Sequence, residues 1–302
     1  MKEELKQLEE ERKKIHKQEL AVYIFAAVIN LIAILILIFF DFFYLLLGTI
    51  IVSIIMIANV SAKAKKFNSS LKDKIVVGMI HQELGADAVY QPNGGIPLEQ
   101  ITKLGMYKAP DRWHEEDYIS AVYNQIPYQM CDARFEERHE HYDSKGNRHV
   151  SYTTYFSGRI IRIDFKRHID TFLMVVEGNP NGLRTSGLEK VETEVIDFNK
   201  KYKTYVSSKE KAFYFLTPVL IQKMLELEKL FKGSIQYCMD GDCFYVFINN
   251  SVDFLDAPLS KKLDEKTLSI LRSQITIGEA IINEFGLDEM LSLIHISEPT
   301  RP

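Results

Sequence analysis

The pattern of apolar and polar positions divides this chain sharply. From Leu20 to Val60 it is almost wholly apolar: LAVYIFAAVINLIAILILIFF, a single Asp41, then FFYLLLGTIIVSIIMIANV. A membrane-spanning helix needs about 20 apolar residues, and this run holds two such stretches, about 20–40 and 42–60. Hydrocarbon offers no partner to backbone polar groups, so each span is predicted to be helical. Asp41 then marks the crossing point, because a carboxylate at mid-membrane costs several kcal/mol. The aromatic residues around it, Tyr44 above all, suit a lipid–water interface.

The remaining pattern predicts short elements of both kinds. LKDKIVVGMIHQEL has a helical period, with Gly85 as its stop. A short strand, DAVYQ, precedes PNGG, and PLEQITKLGMY reads as a helix opened by Pro97. EDYISAVYN alternates like a half-buried strand. IPYQMCDARFEER and HVSYTTYFSGRIIRIDF flank DSKGN and predict a long hairpin with a charged tip. RHID reads as a tight connection and TFLMVVEG as another strand. LEKVETEVIDFNKKYKTYVS is extended or mixed. Thr217 and Pro218 open a longer helix. SIQYCMDGDCFYVFINN is a hairpin on Asp240 and Gly241, and a final helix is predicted over 264–285. Many non-local strands in series imply an antiparallel sheet and an α+β class.

The expected organisation is a charged cytoplasmic helix over 1–19, a transmembrane helical hairpin over 20–62 and a basic linker over 63–70. A cytoplasmic α+β domain follows over 71–290. The first segment carries acid–base pairs at helical spacing, such as Glu9 to Lys13, and reads as a solvated extension of the first span. Residues 291–302, LSLIHISEPTRP, break the preceding pattern. They look like a translated sequencing adapter and are set aside.

Charge decides orientation. Lys2, Lys6, Arg12, Lys13, Lys14 and Lys17 precede the hairpin, and Lys63, Lys65 and Lys66 follow it. Basic flanks face the cytoplasm. The expected topology is multi-pass, with both termini cytoplasmic. A cleaved signal peptide is not expected, because the apolar run is too long and starts too late. The net charge of −4 lacks the basic footprint of a nucleic-acid binder. Cys131, Cys238 and Cys243 fit a reducing compartment and match no common zinc spacing.

Several features together resemble a known family: the basic-flanked apolar hairpin, EEDYISAVYNQIPYQM, YFSGRIIRIDF, DFNKKYKTYVSSKEKAFYFLTPVLIQKMLEL and CFYVFINNSVDFLDAP. They are similar to the bacterial membrane-anchored family labelled domain of unknown function 3137. The resemblance covers roughly 65–285. It implies architecture and a place in the bacterial inner (cytoplasmic) membrane, with no reaction, cofactor or catalytic residue.

Candidate chemistry is sparse. His139, His141 and His149 crowd the hairpin tip among Glu136, Glu137, Glu140 and Asp143, a set able to hold zinc or nickel. The plain alternative is a solvated hairpin end that blocks edge pairing. Trp113, His114, Glu115, Glu116 and Asp117 form an acidic run suited to acid–base work or to a solvated loop. Asp240 and Asp242 flank a turn glycine. Gly94 and Gly95 precede a helix, but the chain has no Walker lysine motif and no GxGxxG. Aromatic residues concentrate late, at Tyr202, Tyr205, Phe213, Tyr214, Phe215, Phe244, Tyr245 and Phe247. They fill a core or line a groove.

The sequence therefore predicts a membrane-anchored interaction or scaffold module. Its partners are the lipid bilayer and a protein partner or second copy, with no nucleic acid and no cofactor. The alternatives are a lipid or small-molecule sensor with an aromatic-lined pocket, and an enzyme or metal-binding protein using the histidine cluster.

Overall fold

The structure, a computed structural model, describes residues 2–40, 42–165 and 170–287. The crossing point at Asp41, most of the RHID connection and the tail from Leu291 lie outside the described residues. The chain divides into two compact units. One holds the described residues up to Met79 together with Leu255–Ser273. The other holds Ile80–Phe254 and the described residues from Gln274.

In the first unit, α1 (Lys2–Phe40) and α2 (Phe43–Leu71) pair along their length. Both are long and apolar enough to cross a membrane. Large apolar side chains such as Ile24, Leu31, Ile38, Ile54 and Ile55 are exposed along them, a surface that suits hydrocarbon. Small residues line the seam, with Ala26, Ala33 and Ser53 all buried, so the backbones approach closely. Asn30 ties the pair: its Nδ2 donates to Ser53 Oγ at 2.8 Å, and Thr49 Oγ1 donates to its Oδ1 at 3.1 Å.

Two expectations change here. The segment 63–70 is helical, not a linker, because α2 runs through it to Leu71. KAKKFNSS has no glycine or proline to stop a helix, and Phe67 and Leu71 are fully buried. A π-helical turn, Lys72–Val76, then leads into α3 (Val77–Leu84). The charged N-terminal segment is not wholly solvated either. Leu8, Arg12 and Ile15 are buried, and residues 255–263 bond to this segment. Glu9 Oε2 accepts from Leu263 N–H at 3.0 Å and from Arg12 Nε at 2.8 Å, while Arg12 Nη1 donates to the Leu259 carbonyl. Lys72 pairs with Asp256 at 2.8 Å.

The second unit is α+β and holds one nine-stranded sheet in the order β1-β2-β3-β4-β9-β8-β5-β7-β6. The strands are β1 (Val89–Gln91), β2 (Arg112–Tyr123), β3 (Ile126–Tyr142), β4 (Arg148–Asp164), β5 (Phe172–Glu177), β6 (Glu189–Val191), β7 (Tyr202–Val206), β8 (Ser234–Asp240) and β9 (Cys243–Asn249). All recorded pairings are antiparallel. The two edge strands have three residues each, which leaves little ladder for another chain to extend. Asn124 and Gln125, both with positive φ, form the two-residue turn that joins β2 to β3.

The central strands are buried on both faces. On one face Phe135, Phe156, Tyr245 and Phe247 pack with Tyr107 and Ile101, the latter from α4 (Leu98–Thr102). On the other, Tyr237 stacks on Phe244 and both meet Phe285. Strands covered on both sides read as near-continuous apolar runs. β8 and β9 show this, with five consecutive buried residues each.

The remaining helices are α5 (Ile196–Lys201), α6 (Lys209–Phe215), α7 (Pro218–Leu230), α8 (Glu265–Ile275) and α9 (Ile277–Glu284). Thr217 caps α7 as the sequence predicts, its hydroxyl accepting from Leu220 N–H at 3.2 Å. The single helix predicted over 264–285 is two, broken at Thr276. Gly278 of α9 lies on the ring of Tyr128, where any Cβ would clash.

The Glu9 contact yields a pH test. Bonding to Arg12 holds this carboxyl down from 4.5 to about 2. A depressed acid stabilises the folded form above its ordinary value, and that contribution drains away as pH falls from 4.5 toward about 2. Glu9→Gln removes it at every pH. Hydrogen exchange at the Leu263 amide is expected to quicken about tenfold or more in the variant at pH 7, since hydrogen bonds to charged groups contribute roughly 1.5–3 kcal/mol. Unchanged exchange sinks the assignment.

Candidate functional site

The sequence offered Trp113 to Asp117 as an acidic run suited to acid–base work or to a solvated loop, with a strand from Glu116. The structure continues β2 through them, with a register shift between Glu116 and Ile119. One extra residue there is a β-bulge, and bulges re-aim side chains. Asp117 sits at this bulge with φ 56° and is fully buried. Its N–H donates to the Pro92 carbonyl at 3.0 Å, and its Oδ1 accepts from Tyr90 Oη at 2.6 Å.

Beside it, Asp132 of β3 stands opposite Arg159 of β4. Arg159 is fully buried. Its Nε donates to Asp132 Oδ1 at 2.7 Å, its Nη1 donates to the Gln274 carbonyl at 3.1 Å, and its guanidinium lies 4.3 Å above the Phe254 ring. Asp132 Oδ2 accepts from Phe254 N–H at 2.9 Å. Burial pushes the Asp132 carboxyl up, against the pull of Arg159 and the Phe254 amide, and the nearby Asp117 pushes the same way.

Asp253 completes the group. Carboxylate oxygens of Asp117, Asp132 and Asp253 lie within 4.8 Å of one another. A small pocket of about 60 Å³ adjoins them, lined by His114, Glu116, Arg134, Ser157 and Asp253 among others. Gly158 is also at its wall, where a Cβ would strike the Ile248 carbonyl. Three carboxylate oxygens suit a hard cation. Here Asp132 is already matched by Arg159, so the arrangement is first a buried ion pair that ties β3 to β4 and, through the Phe254 amide, to the 250–254 loop.

The other sequence candidates are placed as follows. His139, His141 and His149 stay at the exposed end of β3 and β4, and their ring nitrogens are not drawn into the carboxylate group. Glu115 packs against Gly95, and burial raises its carboxyl; an acid in that position opposes an anion cradle at Gly94–Gly95. Gly241 turns β8 into β9 with φ 56°. Cys131 and Cys238 are buried free thiols, and half-buried Cys243 donates to Asp164 Oδ1 at 3.2 Å. Tyr202, Phe215, Phe244, Tyr245 and Phe247 are core residues, not pocket walls. Sequence reasoning missed Asp132, Arg159 and Asp253. The only signal for Asp132 and Arg159 was a charge within the largely apolar stretches MCDARF and SGRIIRI, and Asp253 had none.

Comparisons agree with the resemblance seen in the sequence. Residues 154–287 match the model of a family described as protein of unknown function (DUF3137). The match takes in Arg159 and Asp253 and leaves out Asp117, Asp132 and the β3 histidines. No curated protein matches the chain. The crystal structure of the mycobacterial trehalose monomycolate transport factor A, TtfA, is similar with a TM-score of 0.37 at 5% identity, over 70% of this chain and 96% of that one. A likeness that distant transfers neither fold detail nor activity.

Removing one partner of a buried ion pair costs about 3–5 kcal/mol. Arg159→Met is therefore expected to destabilise the sheet by about that amount in thermal unfolding of the detergent-solubilised chain. Asp132→Leu combined with Arg159→Met is expected to recover part of it. A single variant as stable as the parent would refute the pairing.

Proposed function

We propose that this chain is a membrane-anchored interaction module, held by α1 and α2 with both ends in the cytoplasm, that docks a partner protein. The basic residues on either side of the apolar hairpin support the orientation. The observation that supports docking is a groove of about 400 Å³ in the second unit. Val195, Phe213, Leu216, Pro218 and Ile221 give it an apolar floor, and Glu192 and Glu194 add two carboxylates. Next to these residues in the chain, Ile196, Tyr214 and Val219 are 69%, 83% and 70% exposed. Large apolar residues gathered in one place on a surface mark an interaction site.

The chemistry favours one occupant, an amphipathic segment with basic residues along one side. Its apolar face covers the floor while its cations meet Glu192 and Glu194. An anionic membrane is disfavoured, because the same carboxylates repel its headgroups. A photo-crosslinker placed at Tyr214 in the full chain tests this inside cells. The expected product is one defined protein whose crosslinked peptide is basic and amphipathic, and Val219→Glu abolishes it. Crosslinks to lipid alone, or an adduct indifferent to Val219→Glu, would overturn the reading.

A further inference from the structure

The β3–β4 ribbon outruns its neighbours. β2 pairs with β3 only as far as Glu136, and β9 pairs with β4 only from Gly158. Beyond them, Glu137–Tyr142 and Arg148–Thr153 have only each other in the ladder among the described residues.

The turn at the tip fixes their register. Gly146 N–H donates to the Asp143 carbonyl and Asp143 N–H to the Asn147 carbonyl, both at 3.0 Å, with Gly146 at φ 80°. This is a three-residue loop with glycine in the left-handed position. Asp143 Oδ1 also accepts from the amides of Lys145 and Asn147 at 2.9 Å each. The consequence is that His141 stands directly opposite His149, with His139 opposite Ser151.

Directly opposed residues share a face, about 4.5–5.5 Å apart at Cβ. Residues two apart on one strand share it too. His139, His141 and His149 therefore rise from one face, with His149 opposite one and diagonal to the other. Asp143 continues the same face, and its Oδ2 lies 3.3 Å from His149 Nε2. A metal-bound histidine commonly gives its second ring nitrogen to a carboxylate, which orients the ring. Asp143 is placed to supply that group, which leaves Nδ1 as the nitrogen of His149 able to ligate. All three imidazoles are exposed, so each can turn between rotamers without moving the backbone.

We infer that the tip of the β3–β4 ribbon binds one divalent transition-metal ion of the zinc class through His139, His141 and His149, with Asp143 positioning His149. Neutral imidazole suits such ions, and three histidines leave one position for water or another ligand. The site is separate from the groove of the second unit and stands whether or not that groove binds a protein.

The test is a zinc titration of the full chain in mild detergent, freed of any affinity tag, by calorimetry against a chelator of known strength. One zinc per chain is expected. His139→Ala, His141→Ala and His149→Ala should each weaken binding by about tenfold or more, and Asp143→Asn by ~10-fold, as for loss of an orienting carboxylate. Asparagine keeps the turn-capping oxygen, so the loop survives that change. Exposed His81, on α3, is the control: His81→Ala should leave the affinity unaltered, and unchanged far-ultraviolet circular dichroism certifies the fold in every variant. Zinc held equally well by the triple alanine variant would overturn the site. So would unchanged affinity in His139→Ala, which marks a two-histidine surface chelate only.

Discussion

The ladder between β3 and β4 is the constraint on which the second unit rests. It is the longest pairing in the sheet, and both strands have 17 residues. Its two ends are set by different forces. At the tip, the Asp143–Asn147 turn dictates which residues oppose. At the base, Phe135, Phe156 and Ile160 must face the aromatic cluster. The two registers differ by one residue, and the ladder absorbs it in a bulge: Phe135 opposes Phe156, yet Glu136 opposes Thr154. Tyr155 is the extra residue, and its hydroxyl is anchored on the Lys108 carbonyl at 2.8 Å. A one-residue slip without a bulge would turn every core side chain outward.

The same ladder decides where charge is buried. With one face of β3 and β4 given to the aromatic cluster, alternation sends Asp132 and Arg159 to the other. Both are sealed there, and each meets the other directly. Buried charges are tolerated only when paired and hydrogen-bonded. The pair therefore recruits the Phe254 amide and the Gln274 carbonyl. This recruitment holds the loop after β9 and the Gln274 backbone against the sheet.

The first unit solves a different problem. Helices long and apolar enough to cross a membrane satisfy their own backbone groups, so packing and a few polar contacts choose their partners. Small residues at Ala26, Ala33 and Ser53 allow close approach, and Asn30 finds Ser53 and Thr49 across the seam. Outside the apolar stretch the charged half of α1 does not simply dissolve in water. Its Glu9 and Arg12 offer bonds to the backbone of 259–263, which adds a late segment of the chain to the hairpin.

Sequence alone determined what depends on neighbours in the chain. The two apolar helices follow from length and composition. The 143–147 turn follows from DSKGN, the α7 start from Thr217–Pro218, and the β8–β9 hairpin from Gly241. The α+β class and the family resemblance were legible for the same reason. Tertiary structure alone decided what depends on register and on contacts far along the chain. The bulges at Asp117 and Tyr155, the meeting of Asp132 with Arg159 and the docking of 255–263 on α1 belong here. So does the helical course of 63–70, where Phe67 and Leu71 gain burial. Local pattern fixes which face a residue prefers, but only the assembled ladder fixes what stands across from it.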